Sequence, residues 1–274
     1  MTAPQAAATI RAREDTAMLD LGLTGKIAIV TGGSEGLGRA TAMRFAAEGC
    51  RVVICARRKD VLERAAEAIR KQTGVQVLAQ VADVTRPADV EAVVNATLGA
   101  HGGVDILVNN AGTSSAGAFE KVDDATWDAD IQVKLMAAVR FCRLVVPQMK
   151  KRGGGRIVNV TTVGGKAPAA RALPTSVTRA AGINLTKSLA NEYAPDHILV
   201  NTVCLGLVKS AQWERRAKGG DLEAYYREAA KRVPVGRVGE AEEFADLVAF
   251  LCSARAGFIT GTAINFDGGM SAAY

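Results

Sequence analysis

The chain has 274 residues, of which 49% are hydrophobic and 28 are glycine, and 34 Lys and Arg residues against 28 Asp and Glu residues give a net charge of +6. The hydrophobic fraction excludes a disordered chain, and the length allows one large domain or two small ones. No run of about eighteen apolar residues predicts a membrane span, and the basic residues are too dispersed for a nucleic-acid groove.

Cysteine and histidine patterns give no sign of a disulfide framework or a metal site. The five cysteines form no C-x-x-C pair and lie in or beside apolar runs, which predicts buried thiols in the reducing cytoplasm: Cys50, Cys55, Cys142, Cys204 and Cys252. His101 and His197 have no metal-ligating neighbour at helical or turn spacing, and we expect both at the surface. Residues 1–20 are small, polar and aperiodic and do not resemble a secretory signal, so we predict a flexible N-terminal arm.

From Lys26 onward, short β-branched runs alternate with stretches of helical periodicity. The predicted strands are 26–31, 51–56, 76–81, 104–108, 156–161, 198–203 and 262–266, and the main predicted helices are 36–48, 60–72, 89–100, 127–152 and 178–193. The strand segments are almost continuously apolar, as in parallel strands buried on both faces. We therefore predict a single α/β domain over 21–274, a Rossmann fold with a doubly wound parallel sheet of about seven strands and helices on both faces.

A glycine-rich turn joins the first predicted strand to the first helix. The residues there that we expect to bind a cofactor are Gly32, Ser34, Glu35, Gly36, Leu37 and Gly38. Glycine lets the backbone approach a pyrophosphate, whose charge is stabilised by the free N–H groups at a helix N-terminus. In this context the turn predicts a dinucleotide site.

The end of the second predicted strand indicates which dinucleotide is bound. An NAD site usually carries an acidic residue here that accepts from the ribose 2′-hydroxyl, whereas this chain has Arg57 and Arg58. Arginine binds phosphate bidentately, so the pair favours NADP(H) over NAD(H), although Glu35 adds repulsion. Asp60, the next acid, is expected to be the N-cap of the following helix.

Later motifs extend the pattern along the chain: Ala82-Asp83-Val84, Asn109-Asn110-Ala111-Gly112, Arg237-Val238-Gly239, Ile259-Thr260-Gly261 and Asp267-Gly268-Gly269. Together with Thr31, Gly32, Gly36 and Gly38, they make residues 22–271 resemble the short-chain dehydrogenase/reductase family, nearest to its 3-oxoacyl-acyl-carrier-protein reductases. The resemblance implies a homo-oligomer, a tetramer or a dimer, and adds cofactor-binding positions at Asp83, Val84, Asn110, Ala111, Gly112, Arg179, Gly206 and Val208.

The four catalytic positions of that family are all substituted in this chain. Thr162 stands in place of serine, Thr175 in place of tyrosine, Arg179 in place of lysine and Lys134 in place of asparagine. We expect both threonines to donate hydrogen bonds, although Thr175 is a poor acid, and Arg179 to hold ribose hydroxyls and stabilise an oxyanion. Lys134, buried near Arg179, would have a lowered pKa and could itself act as the acid.

Other residues near the expected site have plainer interpretations. Tyr193 and Cys204 are expected to pack, and Tyr225 and Tyr226, in a predicted substrate lid at 210–234 with Trp213, are expected to pack unless one swings in as an acid. Tyr274 could reach the site of a neighbouring subunit.

These residues favour a cytoplasmic NADP(H)-dependent oxidoreductase acting on a carbonyl or an activated double bond. Two basic residues at the catalytic positions favour an anionic or thioester-linked small-molecule substrate, with no nucleic acid, membrane or metal involved. Two alternatives remain open at this stage. One is a cofactor-binding protein without redox turnover, and the other is a non-redox isomerase or cyclase on the same scaffold.

Overall fold

The computed structural model describes residues 19–210 and 220–274. Seven parallel strands form a single sheet in the order β3-β2-β1-β4-β5-β6-β7. They are β1 (Ile27–Thr31), β2 (Arg51–Ala56), β3 (Val77–Val81), β4 (Ile106–Asn109), β5 (Gly155–Thr162), β6 (Ile198–Leu205) and β7 (Ala263–Phe266). The order reverses beside β1, between β1 and β4, which is where ligands bind in open α/β sheets. The predicted Rossmann fold is confirmed.

The helices of the described residues lie on both faces of the sheet. They are α1 (Gly36–Ala47), α2 (Lys59–Thr73), α3 (Pro87–His101), α4 (Asp124–Ile131), α5 (Ala137–Lys151), α6 (Thr175–Tyr193), α7 (Leu222–Ala230) and α8 (Ala241–Cys252). Pro87 at the start of α3 and left-handed Gly102 at its end illustrate how local sequence sets these bounds. No helix in the described ranges is long and apolar enough to cross a membrane.

Two hydrophobic clusters fill the spaces between sheet and helices. Phe45 of α1 and Phe244 of α8 pack on one face of β1 and β2, while Phe141 and Met149 of α5 pack on the other. All five cysteines are buried with free thiols, as predicted. Burial raises the pKa of the Cys204 thiol, which makes it a weaker nucleophile.

Two local predictions were wrong. The predicted helix 127–152 is interrupted, because a π-helical turn, Gln132–Met136, separates α4 from α5. Such a turn holds an extra residue and is frequent at functional sites. Asp60 does not cap α2: the N-cap is Arg58, and Asp60 lies in the first turn, where its carboxylate accepts from Arg64 at 2.8 Å.

Parts of two further predictions lie outside the described residues. These are 1–18 of the predicted arm and 211–219 of the predicted lid, including Trp213. In the described part of the lid, Asp221 caps α7, Tyr226 is buried and the Lys209 ammonium lies 5.6 Å from its ring centroid. Tyr274 is fully exposed at the C-terminus.

The two histidines and Tyr193 lie away from the switch point. His197 is exposed, whereas His101 is half-buried, and burial lowers the pKa of its imidazole. Tyr193 is half-buried at the end of α6, with the Lys150 ammonium 5.0 Å from its ring centroid. This placement is consistent with the packing role expected for Tyr193.

Candidate active site

The glycine turn after β1 forms a close-fitting loop at the switch point. Gly32 and Gly36 have φ values of +67° and +50°, which favour glycine. A Cβ on Gly38 would lie 2.2 Å from the carbonyl oxygen of Gly32 and 2.5 Å from Nδ2 of Asn110. The loop therefore brings the backbone close to the start of α1, where the first N–H groups of a helix favour an anion.

Residues after β4 fix this loop to the sheet. The side-chain amide of Asn110 donates to the carbonyl oxygen of Thr31 at 2.9 Å. The Thr31 hydroxyl accepts from the backbone N–H groups of Asn110 and Ala111, each at 3.0 Å. Two of the predicted cofactor-binding residues, Asn110 and Ala111, thus brace the loop through their own contacts.

The two arginines after β2 differ in their surroundings. Arg58 donates to Glu35 at 2.5 Å, so Glu35 of the glycine loop pairs with one of the arginines predicted to bind phosphate. Arg57 is exposed, and its charge acts on Asp83. Burial disfavours the Asp83 carboxylate, but hydrogen bonds from Thr85 and the nearby arginine charges outweigh it and lower its pKa. The end of β2 thus carries two exposed arginines, of which Arg58 is paired with Glu35.

Two of the four positions predicted as catalytic, Lys134 and Thr175, meet at the Thr175 hydroxyl at the N-terminus of α6. That hydroxyl accepts from the Lys134 ammonium at 2.8 Å and from the backbone N–H of Ser115 at 3.0 Å. The Lys134 ammonium also donates to Asp130, and the two side chains are 1% and 0% exposed. The second carboxylate oxygen of Asp130 accepts from Thr178 at 2.6 Å. These contacts form one continuous buried chain, Thr178, Asp130, Lys134 and Thr175, which ends at Thr175.

The electrostatics of this chain make Lys134 an unusually acidic lysine. Burial and the charge of Arg179 lower the pKa of its ammonium, the hydrogen bond and charge of Asp130 oppose both effects, and the net result is a pKa of about 8. This is the environment expected for Lys134 from the sequence. The sequence reasoning missed Asp130 and Thr178; the signal was a carboxylate one helical turn before Lys134.

Arg179 lies one turn after Thr175 and spans the gap between β5 and the loop after β4. Its Nη1 donates to the carbonyl oxygen of Val160 at 2.7 Å, and its Nη2 is 2.8 Å from where a Cβ on Gly112 would lie. Its Nε is buried without a hydrogen bond to another described residue. Burial lowers the pKa of the guanidinium to about 10, so it stays charged near neutral pH. Arg179 thus places a fixed positive charge beside Gly112.

The remaining predicted site residues lie along the same edge of the sheet, apart from Val84. Thr162 ends β5 beside Leu205 of β6. Gly206 follows β6, and a Cβ there would lie 2.6 Å from Asp267. Val208 is buried and pairs with Gly239. Val84, after β3, is buried in the core.

Comparison with known proteins gives this arrangement a family. A sequence model of enoyl-(acyl carrier protein) reductases matches residues 32–271. Dehydrogenase/reductase SDR family member 4 from Oryctolagus cuniculus is 36% identical over 252 residues, covering 90% of this chain and 94% of the relative. The chain belongs to the short-chain dehydrogenase/reductase family. It is therefore an oxidoreductase of that type.

Solved structures of the same family show what its members bind. L-sorbose reductase from Gluconobacter frateurii, in complex with NADPH and L-sorbose, is 39% identical with a TM-score of 0.90, covering 93% of this chain and 100% of that one. An NADPH-bound short-chain oxidoreductase from Pseudomonas aeruginosa PAO1 with an atypical catalytic center is 34% identical with a TM-score of 0.86, covering 91% and 98% of the two chains. The second of these neighbours thus combines bound NADPH with an atypical catalytic center.

Proposed function

We propose that this protein is an NADP(H)-dependent short-chain reductase that acts on a carbonyl or an activated double bond, with Thr175 as the residue that donates a proton to the substrate. The observation that carries the proposal is the 2.8 Å hydrogen bond from the buried Lys134 ammonium to the Thr175 hydroxyl. The contact places the Lys134 ammonium, a group acidic enough to release a proton near neutral pH, beside Thr175, which stands where the family has its tyrosine.

The proton route follows from the hydrogen bonds of Thr175. A hydroxyl has one proton to donate and two lone pairs. In Thr175 both lone pairs are occupied by donors, Lys134 and Ser115, so its own proton is directed elsewhere and can reach a substrate oxygen. As that oxygen gains negative charge it takes the proton of Thr175, and Thr175 takes one from Lys134. The lysine is left as a neutral amine, so the charge balances.

The charges around this route favour a substrate that is or becomes anionic. Lys134 and Arg179 bring two positive charges against the single carboxylate of Asp130. The excess positive charge would stabilise an alkoxide, with Thr162 as a second hydrogen-bond donor. A carboxylate, phosphate or thioester-linked carbonyl compound fits best. A putative ketoacyl reductase of the monensin polyketide synthase from Streptomyces virginiae, 36% identical, supports the thioester class.

The residues present fit a dinucleotide, which would supply the hydride when bound. The loop from Gly32 to Gly38 has the close approaches that only glycine allows, and it opens onto the first turn of α1. Arg57 and Arg58 would hold a 2′-phosphate, and Arg179 would hold ribose hydroxyls. The NADPH-bound neighbours support NADP(H) over NAD(H).

The pH dependence of turnover tests the proposed proton source. Reduction needs a protonated Lys134, so we expect kcat to be constant below a pH of about 8 and to fall above it. The measurement is stopped-flow loss of NADPH absorbance against L-sorbose, ethyl acetoacetate and acetoacetyl-CoA. Lys134→Arg is the charge-matched comparison, because a guanidinium cannot release a proton in this range. It should be slow and should show no fall near pH 8.

Two results would contradict the proposal. Tight NADPH binding with no oxidation on any carbonyl would favour a binding-only protein or a non-redox enzyme. Full activity of Lys134→Arg would show that another group supplies the proton.

The cofactor proposal has its own test in the Glu35–Arg58 ion pair. Glu35→Gln removes the carboxylate that competes with a phosphate for Arg58, so we expect NADPH to bind up to about fivefold more tightly, the range typical of an exposed ion pair. Arg57→Ala should weaken NADPH binding in the same assay. Affinities are measured by fluorescence titration, with NADH as the control that neither substitution should affect. Equal effects on NADPH and NADH would overturn the assignment of these arginines to a 2′-phosphate.

The domain division, the homo-oligomer and the cytoplasmic location stay predictions. We propose that the substrate lid at 210–234 and the arm at 1–20 have the roles expected from the sequence. Tetrameric or dimeric assembly is read out by sedimentation velocity on the full chain.

A further inference from the structure

A buried carboxylate lies directly behind the proposed proton source. Asp130 is in the last turn of α4 and is 1% exposed. One of its oxygens accepts from the Lys134 ammonium and the other accepts from the Thr178 hydroxyl at 2.6 Å. Both carboxylate oxygens of Asp130 are engaged by these contacts and its side chain is buried behind Lys134, so we expect it to touch neither cofactor nor substrate. Any role it has in turnover must act through Lys134.

The π-helical turn and α6 together create this arrangement. Asp130 precedes the turn and Lys134 lies within it, so the wider turn sets how the two side chains meet. Thr178 lies on α6 one turn after Thr175, so the same helix contacts both ends of the pair. The carboxylate is thus fixed from two elements, and it fixes the ammonium in turn.

Without Asp130, the remaining surroundings of Lys134 would favour its neutral form. In the described part of the chain, the charged groups that act on Lys134 are Asp130 from α4 and Arg179 from α6. Burial and Arg179 both favour the neutral amine, and of these two charged groups Asp130 favours the ammonium. A neutral amine would accept the Thr175 proton, which would turn that hydroxyl away from the substrate.

We propose that Asp130 is a positioning residue that keeps Lys134 protonated and directed at Thr175, and that Thr178 limits how strongly the carboxylate holds that proton. This inference rests on the proposed function for its kinetic readout, but the protonation state of Lys134 can be measured without turnover.

Substitutions at Asp130 and Thr178 should shift the pH midpoint of the Lys134 titration in opposite directions. Asp130→Asn removes the opposing charge, so the pH at which Lys134 loses its proton should fall by about 1 to 3 units. Thr178→Val is isosteric but donates nothing to Asp130. When Lys134 has lost its proton, the Asp130 carboxylate is then left without the Thr178 hydrogen bond and is less stable. The pH midpoint of the Lys134 titration should therefore rise by less than about one unit. General damage to the fold would not shift the two midpoints in opposite directions.

The midpoint is measured in two ways. One is the fall of kcat with pH for NADPH oxidation with the best of the three carbonyl substrates. The other is the ¹³C resonance of the Lys134 ε-carbon in protein labelled with ¹³C-lysine, assigned by its loss in Lys134→Arg. Asp105→Asn is the matched control, because Asp105 is a buried aspartate paired with Arg152 at 2.7 Å far from Thr175. It should lower the thermal midpoint and leave the titration unchanged.

Each outcome decides the proposal. Opposite shifts in the two variants support it, and an unchanged or raised Lys134 midpoint in Asp130→Asn overturns it. If Asp130→Asn does not fold, Thr178→Val carries the test, and an unchanged or lowered midpoint there overturns the proposal. If the wild-type protein oxidises no NADPH, the proposed function fails, whereas the resonance titration still decides the role of Asp130.

Discussion

Thr175→Val is expected to lower kcat for NADPH-dependent carbonyl reduction by about 10²- to 10⁴-fold, the usual contribution of a positioned proton donor. Valine keeps the shape of threonine but removes the hydroxyl that joins Lys134 to the substrate oxygen. The Lys134 ammonium keeps its contact with Asp130, so the buried pair survives the substitution. Affinity for NADPH should remain close to that of the wild type, because the hydroxyl donates to the substrate and not to the dinucleotide.

Thr175→Ser is the matched control for this experiment. Serine restores a hydroxyl at the same position with the same donor and acceptor capacity, so most of the lost rate should return. Single-turnover kinetics at saturating NADPH separate the chemical step from binding. Wild-type rates in Thr175→Val would mean that Lys134 or water reaches the substrate directly, and the relay through Thr175 would then be wrong.

Gly38→Ala should impair the dinucleotide site more than any other single methyl group added to the glycine loop. The new Cβ would lie 2.2 Å from the carbonyl oxygen of Gly32 and 2.5 Å from the Asn110 amide, both of which form the loop. Overpacking of this kind costs about 1–3 kcal/mol. Where the strain falls on the loop, it corresponds to roughly a 5- to 150-fold loss of NADPH affinity. Isothermal titration calorimetry measures the loss, and thermal unfolding measures how much of the strain reaches the whole domain.

Gly99→Ala is the matched control for the added methyl group. Gly99 lies within α3, and a Cβ there would meet nothing within 4 Å. Replacing an interior helical glycine by alanine stabilises a helix by about 0.5–1 kcal/mol. The control should therefore melt at a higher temperature and bind NADPH as the wild type does. Equal NADPH affinities in Gly38→Ala and the wild type would contradict the assignment of this loop to the cofactor.

The alternation of short apolar runs with helical segments was sufficient to predict the Rossmann fold. Buried parallel strands need nearly continuous β-branched residues, and this requirement is visible locally, as in the fully buried strand Ile27–Thr31. The glycine loop was equally visible, because left-handed φ angles and close backbone approaches exclude most other residues. The observed strand ends differ from the predicted ones by up to two residues, because strand pairing and not β propensity determines where a strand ends.

The sequence also predicted that Lys134, Thr162, Thr175 and Arg179 occupy the catalytic positions, and this stays a prediction. It did not reveal Asp130 or Thr178, nor that Glu35 pairs with Arg58. The contacts of Thr178 with Asp130 and of Arg58 with Glu35 join residues far apart in the chain, so local periodicity carries no record of them. Asp130, in contrast, lies only four residues before Lys134, and its spacing was a local signal. The prediction of one continuous helix over 127–152 did not include the π turn in which Lys134 lies.

The sequence by itself thus determined the scaffold and predicted the phosphate loop and the residues at the catalytic positions, since each depends on backbone geometry or on motifs within a short stretch. Only the tertiary structure decided what those residues do together. It buried the ammonium of Lys134 with one carboxylate and directed it at Thr175. Burial, the distance to opposite charge and the number of hydrogen-bond donors around a group determine its acidity, and all three are set by packing.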